Sequence, residues 1–362
     1  MLYLIIILIV CYITALIAEK YPLNVVGGLG KRLPNPIGFV IPAILFTTFS
    51  GLRNNLGDTY YNLHSYNLLV DNIPRPKIGD KEVLNSYLIY ILREITDKPQ
   101  LLIFVGAAIS CVPVIYIIYK YAASYELGIF LFVATSYYTF SFNGMRQYMA
   151  AGVLVLGTRF LFSQERHAWL KYALVVFVAM GFHSSAIIML PIFFITRRKA
   201  WSFTAISVIF AAVAVTLLFD AFLPQFLNVV AKSDFSIYND SGWFVKGEEA
   251  GSSFIRVLVV AIPLVIAYFS RERMKILGKT GDILVNLAVL NFSFYVISLY
   301  NWIFARFAIY TGVFYIILLT WLVMNSFKNK DKRKAYLACM VLYALYFWAV
   351  RYSIVGYSSN FF

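Results

Sequence analysis

Long continuous runs of apolar residues, separated by short polar clusters, recur along the whole chain. A helix that crosses a bilayer needs roughly 17–25 such residues, and the runs lack the period-two alternation of membrane β-barrel strands. The pattern predicts an all-α polytopic membrane protein with about twelve transmembrane helices. The predicted spans are residues 2–18, 36–51, 100–118, 126–142, 147–163, 168–182, 184–196, 201–219, 254–270, 282–300, 305–326 and 335–352.

Composition supports a membrane protein, because 61% of the residues are hydrophobic and only 13% are charged, whereas charged residues approach about 25% in soluble domains. The spans predict one transmembrane domain over residues 1–362. The first run has no basic segment before it and no cleavage site after it, so we expect a retained span. The three cysteines lie inside apolar runs, where packing is expected rather than a disulfide or a metal site.

The basic residues predict the sidedness of the chain. Counted in order, the odd-numbered connections hold 19 of the 31 Lys and Arg residues but only six of the 17 acids. Cytoplasmic loops are enriched in Lys and Arg, so we expect the odd-numbered connections inside and both termini outside. The net charge of +14 is therefore attributed to the basic residues of the predicted cytoplasmic loops, and no nucleic-acid partner is expected.

Two outward connections, residues 52–99 and 220–253, are long, and long loops over a rigid scaffold often carry function. Within the first, residues 83–92 are apolar but short, and they are flanked by charged residues such as Glu82 and Arg93. An interfacial helix is predicted there, because a crossing would reverse the basic loops on one side.

Candidate chemistry collects on the predicted outer face. Arg53, Arg146 and Arg306 each stand at the rim of an apolar helix, where an arginine either snorkels to the interface or meets an anion. Three guanidinium groups on one face favour a shared phosphate or pyrophosphate site. Asp58 and His183 are candidates for a general base. A turn or a salt bridge for Asp58, and a packing role for His183, are the structural alternatives.

The sequence contains no metal-ligand cluster, phosphate-binding loop or nucleotide fingerprint. We therefore expect neither a metal nor a cofactor. His64 and His167 lack comparable surroundings and are left out of the site.

Four short motifs, in this order, resemble the EpsG family, which is related to the Wzy polymerases of bacterial surface polysaccharides. They are the segments around Gly51-Leu52-Arg53 with Gly57-Asp58-Thr59, Asn143-Gly144-Met145-Arg146-Gln147, Phe182-His183-Ser184, and Ala305-Arg306-Phe307 with Tyr310. Many relatives have Gly-Thr-Asp in the first motif, and an acidic residue followed by Pro where Glu82-Val83 stands here.

The resemblance implies a GT-C-like architecture and an enzyme that joins oligosaccharide repeat units carried on undecaprenyl pyrophosphate, at the outer face of the bacterial plasma membrane. It implies catalytic roles for His183, Asp58 and Arg146, with either His183 or Asp58 as the base. Substrate binding would fall to Arg53, Arg306, Gln147, Tyr310 and Asn143. The implied partners are the lipid-linked donor and acceptor, membrane lipid and other exopolysaccharide synthesis proteins.

Three other functions remain open from the sequence. A flippase or transporter of the same lipid-linked sugars would need charges through the membrane interior, whereas the candidates here lie at one rim. A glycan ligase would have a similar architecture. A non-enzymatic scaffold would require no particular geometry of the arginines.

Overall fold

The structure is a computed structural model that describes residues 1–69, 75–77, 79–231, 251–350 and 354–361, with only the backbone described for residues 222–231. The described chain forms two compact units. The first comprises Met1–Phe193 and Ile316–Phe362, and the second comprises Phe194–Tyr315. The predicted single transmembrane domain stays a prediction.

Helices dominate the described chain. In order they are α1 Leu2–Lys20, α2 Ile37–Gly51, α3 Thr59–Asn67, α4 Val83–Ile95, α5 Gln100–Tyr121, α6 Tyr125–Ala134, α7 Tyr137–Phe140, α8 Met145–Leu156, α9 Thr158–Phe162, α10 Ala168–Met180, α11 Met189–Thr196, α12 Phe203–Ala231, α13 Phe254–Phe269, α14 Arg271–Met274, α15 Gly278–Ile297, α16 Ile309–Asn325 and α17 Asn329–Val350. Four 3₁₀ segments join them: Gly28–Gly30, Ser184–Ile188, Lys275–Leu277 and Trp302–Ala308.

Five helical segments in the described ranges are long and apolar enough to cross a membrane. They are Leu2–Lys20, Gln100–Tyr121, Phe203–Ala221, Arg271–Ile297 and Trp302–Asn325. This confirms an all-helical membrane protein at the coarse level. The count of twelve spans and the GT-C-like architecture stay predictions.

Two of the predicted spans, 126–142 and 147–163, are each divided into two helices. Between α6 and α7, Ser136 has a φ of 64°. This left-handed conformation cannot be part of a right-handed helix, so it separates the two helices. Between α8 and α9 the chain turns at Gly157. Apolar content alone gave no sign of either break, because apolar residues continue on both sides of it.

The core of the first unit is built around α5, which packs against both α2 and α8. Tyrosine hydroxyls from the following helices secure α2: Tyr125 Oη donates to Gly38 O at 2.7 Å and Tyr138 Oη to Phe46 O at 2.7 Å. An unpaired buried carbonyl or hydroxyl is costly where water is absent. These bonds therefore satisfy groups that the apolar surroundings cannot.

The second unit is centred on α15, which packs against α12, α13 and the 3₁₀ segment Trp302–Ala308. Two buried asparagines near the middle of α15 bind backbone carbonyls of other segments. Asn286 Nδ2 donates to Thr196 O at 3.0 Å, and Asn291 Nδ2 donates to Ala308 O at 3.0 Å.

The first long connection contains α3 and α4. As predicted, α4 is short: thirteen residues rise about 20 Å, less than the hydrocarbon thickness of about 30 Å. Its placement at the interface stays a prediction. In the second long connection α12 continues to Ala231, and residues 232–250 lie outside the described chain.

Residues 354–361, which we call the C-terminal strap, pair with the turn after α2. Asn54 N donates to Ser358 O at 3.1 Å and Asn55 Nδ2 to Gly356 O at 2.5 Å. The ring of Tyr357 stacks on Phe49 with centroids 4.1 Å apart, and its hydroxyl donates to Phe49 O at 2.8 Å. The strap thereby fixes the segment that carries Arg53.

Replacing Tyr357 by Ala is expected to destabilise the protein by about 2 kcal/mol, because an aromatic contact and a hydrogen bond are both lost. The matched variant Tyr357→Phe keeps the stack and should lose about 1 kcal/mol or less. Thermal unfolding in detergent measures both, since the three buried cysteines become reactive to a maleimide dye on unfolding. Equal melting temperatures for Tyr357→Ala and wild type would contradict this role of the strap.

Candidate functional site

Three of the four predicted motifs meet in the first unit, and the fourth, with Arg306, belongs to the second unit. The two groups are described separately.

The first motif is held against the second through Gly57 and Asp58. Asp58 Oδ2 accepts from Gly144 N at 2.9 Å and from Met145 N at 2.8 Å, at the start of α8. Asp58 N donates in turn to Phe142 O at 3.2 Å. A carboxylate at a helix N-terminus satisfies amides that have no partner within the helix and complements the helix dipole. Asp58 therefore positions Arg146, the residue that follows these amides.

Gly57 is required for this contact on two counts. Its φ of +59° lies in the left-handed region, and a Cβ at this position would come within 2.0 Å of Phe142 O. No other residue type has both the backbone freedom and the absence of a side chain. The Gly-Asp-Thr order of the motif thus has a structural explanation.

Arg53 is enclosed by the same motif. Its side chain is 1% exposed; Nε donates to Thr59 Oγ1 at 2.8 Å and Nη1 to Ser50 O at 2.5 Å. The guanidinium also lies over the Phe142 ring at 4.9 Å. Burial lowers the pKa of Arg53, and Asp58 opposes that shift. These contacts make Arg53 a support for the loop.

The second and third motifs converge on Glu82. Glu82 Oε1 lies 2.5 Å from His183 Nδ1, and Glu82 Oε2 lies 2.5 Å from Arg146 Nη1. Ser184 N also donates to Glu82 Oε1, at 3.3 Å. Glu82 and His183 are largely buried, whereas the Arg146 side chain is 51% exposed. We call Glu82, His183 and Arg146 the carboxylate-centred triad.

The contacts of Glu82 favour its ionised form. Burial alone would raise the pKa of Glu82, but the hydrogen bond and charge of His183, the charge of Arg146 and the Ser184 amide together hold it below its ordinary value. An ionised carboxylate can only accept hydrogen bonds. The Nδ1 proton of His183 therefore points to Glu82, and in the neutral form of the ring Nε2 is then the acceptor nitrogen.

Glu82 occupies a strained backbone position. Its φ of 50° and ψ of 42° place it in the left-handed region immediately before α4. Such a conformation costs a non-glycine residue of order 1–3 kcal/mol and recurs at functional sites. Here the carboxylate contacts with two other segments offset the cost.

Helix α4 is brought to this position by close packing on the third motif. Asn85 N donates to Gly181 O at 3.0 Å, and a Cβ on Gly181 would come within 2.5 Å of Leu84. Beneath it, an apolar cluster joins α3, α4, α5 and α8 to the residue before His183. Its members include Tyr66, Leu88, Leu92, Ile103, Met149 and Phe182.

The other predicted residues of the second motif differ in position. Gln147 is buried, and its Nε2 lies 3.5 Å from Ser185 Oγ, linking α8 to the 3₁₀ segment after His183. Asn143 is exposed on the turn before α8. Only Asn143 and Arg146 of this motif present side chains at the surface of the unit.

In the second unit, Arg306 is partly exposed and lies over the Trp302 ring at 5.2 Å. It belongs to the 3₁₀ segment whose first turn is capped by Asn301 Oδ1, which accepts from Ile303 N at 3.0 Å. Tyr310 is buried at the start of α16. Across the described ranges, no three His, Cys, Asp or Glu side chains form a metal-ligand set.

Glu82 is the residue that the sequence prediction omitted from the site. Its signal was present but weak: an acidic residue occupies this position in many relatives of the family that the motifs resemble. Nothing local distinguishes Glu82 from nearby Asp80 or Glu94, because its partners are 64 and 101 residues away.

Replacing Gly57 by Ala is expected to destabilise the protein by more than about 2 kcal/mol, since the left-handed backbone is strained and the new Cβ displaces Phe142 O. The control is Gly30→Ala, which has φ of +77° but open space around the Cβ and should cost about 1 kcal/mol. Melting temperatures in detergent compare the two. An equal loss would refute close docking of the two motifs.

The lowered pKa of Glu82 predicts a pH-dependent stability. Because the folded pKa lies below the ordinary one, the ionised triad stabilises the protein above the ordinary carboxyl pKa of about 4.3, and this contribution is lost as pH falls through the folded value. The melting-temperature difference between wild type and Glu82→Gln should shrink towards zero over that acid range. A difference that stays constant as the pH falls below about 4.3 would contradict the ionised triad.

The EpsG family model matches residues 37–362. Comparison with curated proteins and comparison with solved structures both give no match. The matched range includes the carboxylate-centred triad, the two docked motifs, Arg306 and the C-terminal strap, and on this evidence the chain belongs to the EpsG family.

Proposed function

We propose that this chain polymerises oligosaccharide repeat units carried on undecaprenyl pyrophosphate, at the outer face of the bacterial plasma membrane. The observation that carries the proposal is the carboxylate-centred triad, in which a largely buried His183 is paired with Glu82 beside a half-exposed Arg146. Family membership supports a polysaccharide-polymerase-like activity at the coarse level.

The triad provides a base next to a cation. His183 Nε2 takes the proton from the acceptor hydroxyl while Glu82 accepts from Nδ1, which fixes the ring and stabilises the imidazolium as it forms. The hydroxyl oxygen attacks the anomeric carbon of the donor. The bond from that carbon to the pyrophosphate oxygen breaks, and undecaprenyl pyrophosphate leaves with the electron pair.

Arg146 is assigned to the leaving pyrophosphate. One of its donors is used by Glu82 Oε2, and half of the side chain is exposed, so the remaining donors of the fork can bind phosphate oxygens. Charge that grows on the pyrophosphate as the bond breaks is stabilised by such a fixed cation. Arg306 is proposed as a further substrate-binding residue.

Arg53, Asp58 and Gln147 are proposed as positioning residues. Each is engaged in contacts that hold one motif to another, and this favours His183 over Asp58 as the base. Asn143, exposed beside Arg146, is proposed to bind a sugar hydroxyl, and buried Tyr310 to support Arg306. The proposed reaction needs no metal or nucleotide, and other synthesis proteins remain proposed partners.

Purified protein in lipid, given a synthetic undecaprenyl-pyrophosphate repeat unit without nucleotide sugars or metal, should yield a ladder of products. Arg146→Ala and His183→Ala should abolish it, with losses of about 10²–10⁴-fold for the base. Glu82→Gln keeps the size of the side chain and should lower kcat more than it raises KM, because a positioned base acts in the transition state.

The matched control is His167→Ala, which removes an exposed histidine from a predicted inner loop and should leave the ladder unchanged. Polymer of normal length from folded His183→Ala protein would overturn the assignment of the base. Absence of any ladder with verified wild-type protein and substrate would favour a flippase or a ligase instead.

A further inference from the structure

Helix α3 carries an exposed aromatic surface that the carboxylate-centred triad does not use. Tyr60 is 71% exposed and Tyr61 67% exposed, and His64 lies one turn after Tyr60 and is also exposed. The rings of Tyr60 and His64 are parallel within 4°, with centroids 5.9 Å apart. We call Tyr60, Tyr61 and His64 the aromatic platform.

The opposite face of α3 is anchored in the core. Tyr66 is buried, its hydroxyl donates to Thr96 O at 2.8 Å, and Arg93 lies over its ring at 5.3 Å. Thr59 is buried at the first turn. Residues four apart share one helix face, so Tyr60 and His64 are presented outward by a helix whose other side is fixed.

The chemistry of α3 distinguishes between possible occupants. Helices that lie in a membrane interface carry Lys or Arg on the polar face and Trp, Phe or Leu on the other. The nine residues of α3 are Thr, Tyr, Asn, Leu, His and Ser only, without any Lys, Arg, Asp or Glu. Flat rings beside amides and hydroxyls suit an uncharged ligand that has both apolar C–H faces and hydroxyl groups.

The platform is continuous with the proposed site. Helix α3 begins at Thr59, directly after Asp58, whose carboxylate binds the two amides that precede Arg146. A ligand on α3 is therefore held in a fixed relation to Arg146 through a single residue. Two largely exposed tyrosine rings next to the proposed site form a surface suited to ligand binding.

We propose that the aromatic platform binds sugar residues of the growing polysaccharide, outside the site where the new bond forms. This inference rests on the proposed polymerase function. Stacking on Tyr60 and His64 keeps the chain associated between successive additions, so the platform controls how many units are added before release. It does not take part in the chemical step.

The test uses cells whose polysaccharide depends on this chain. Tyr60→Ala and the double variant with His64→Ala should shorten the released polysaccharide several-fold, while the rate of the first coupling by purified protein stays within about twofold. Tyr60→Phe retains the ring and should restore normal length. Tyr21→Ala, which removes another tyrosine that is 62% exposed, should have no effect. Normal length in the double variant overturns the proposal.

Two further measurements distinguish failure of the platform proposal from failure of the proposed polymerase function. Oligosaccharides made by hydrolysis of that polysaccharide should show saturation-transfer contacts with wild-type protein that are lost in the double variant. Unchanged transfer would exclude the platform. If deleting the chain leaves the polysaccharide intact, the proposed function itself fails, whereas loss on deletion together with normal length in Tyr60→Ala excludes only the platform.

The membrane surface is the competing occupant. The three described cysteines are buried, so Tyr61→Cys provides one accessible thiol for a spin label. Relaxation by a water-soluble nickel complex, reduced when oligosaccharide is added, supports the proposal. Relaxation mainly by oxygen dissolved in the lipid would show that α3 dips into the bilayer and would overturn it.

Discussion

The carboxylate of Glu82 joins three segments that are far apart in the sequence. One oxygen pairs with Arg146 at the start of α8, and the other pairs with His183 and the amide of Ser184. A largely buried carboxylate is stable only when charge and hydrogen bonds replace the water it has lost. The packing of α4, α8 and the turn after α10 supplies these partners. The contacts with Glu82 in turn hold the three elements together.

The supports of this triad are made mostly of backbone contacts. Gly57 and Gly181 allow two close approaches that a side chain would block, and Asp58 binds amides at the start of α8. Arg53 is surrounded by Ser50, Thr59 and Phe142, with the C-terminal strap fixed over the next residues. Arg53 is thus enclosed by the loop that it contacts, whereas half of the Arg146 side chain is exposed.

The carboxylate-centred triad and the aromatic platform are proposed to have separate roles within the first unit. Under the proposed function, the triad supplies a base, a group that orients it and a cation, all on elements fixed by packing, as precise positioning requires. The aromatic platform is attached to the same frame, and its helix contains no Lys, Arg, Asp or Glu. Under the two proposals, the chemical step and the retention of the growing polymer can be altered independently.

The sequence by itself determined the membrane class, the positions of the apolar helices and the candidate motifs, because hydrophobic length and residue type are local properties that need no knowledge of partners. It indicated Arg146 and His183 as candidate functional residues, and it indicated the family to which the chain belongs. Tertiary structure alone decided that Glu82 completes the triad, that Arg53 and Gln147 face inward, and that Ser136 interrupts a span. Each of these depends on which distant atoms come within a few ångströms of each other. Burial, or a contact between residues 64 or 101 positions apart, produces no periodic pattern in the sequence.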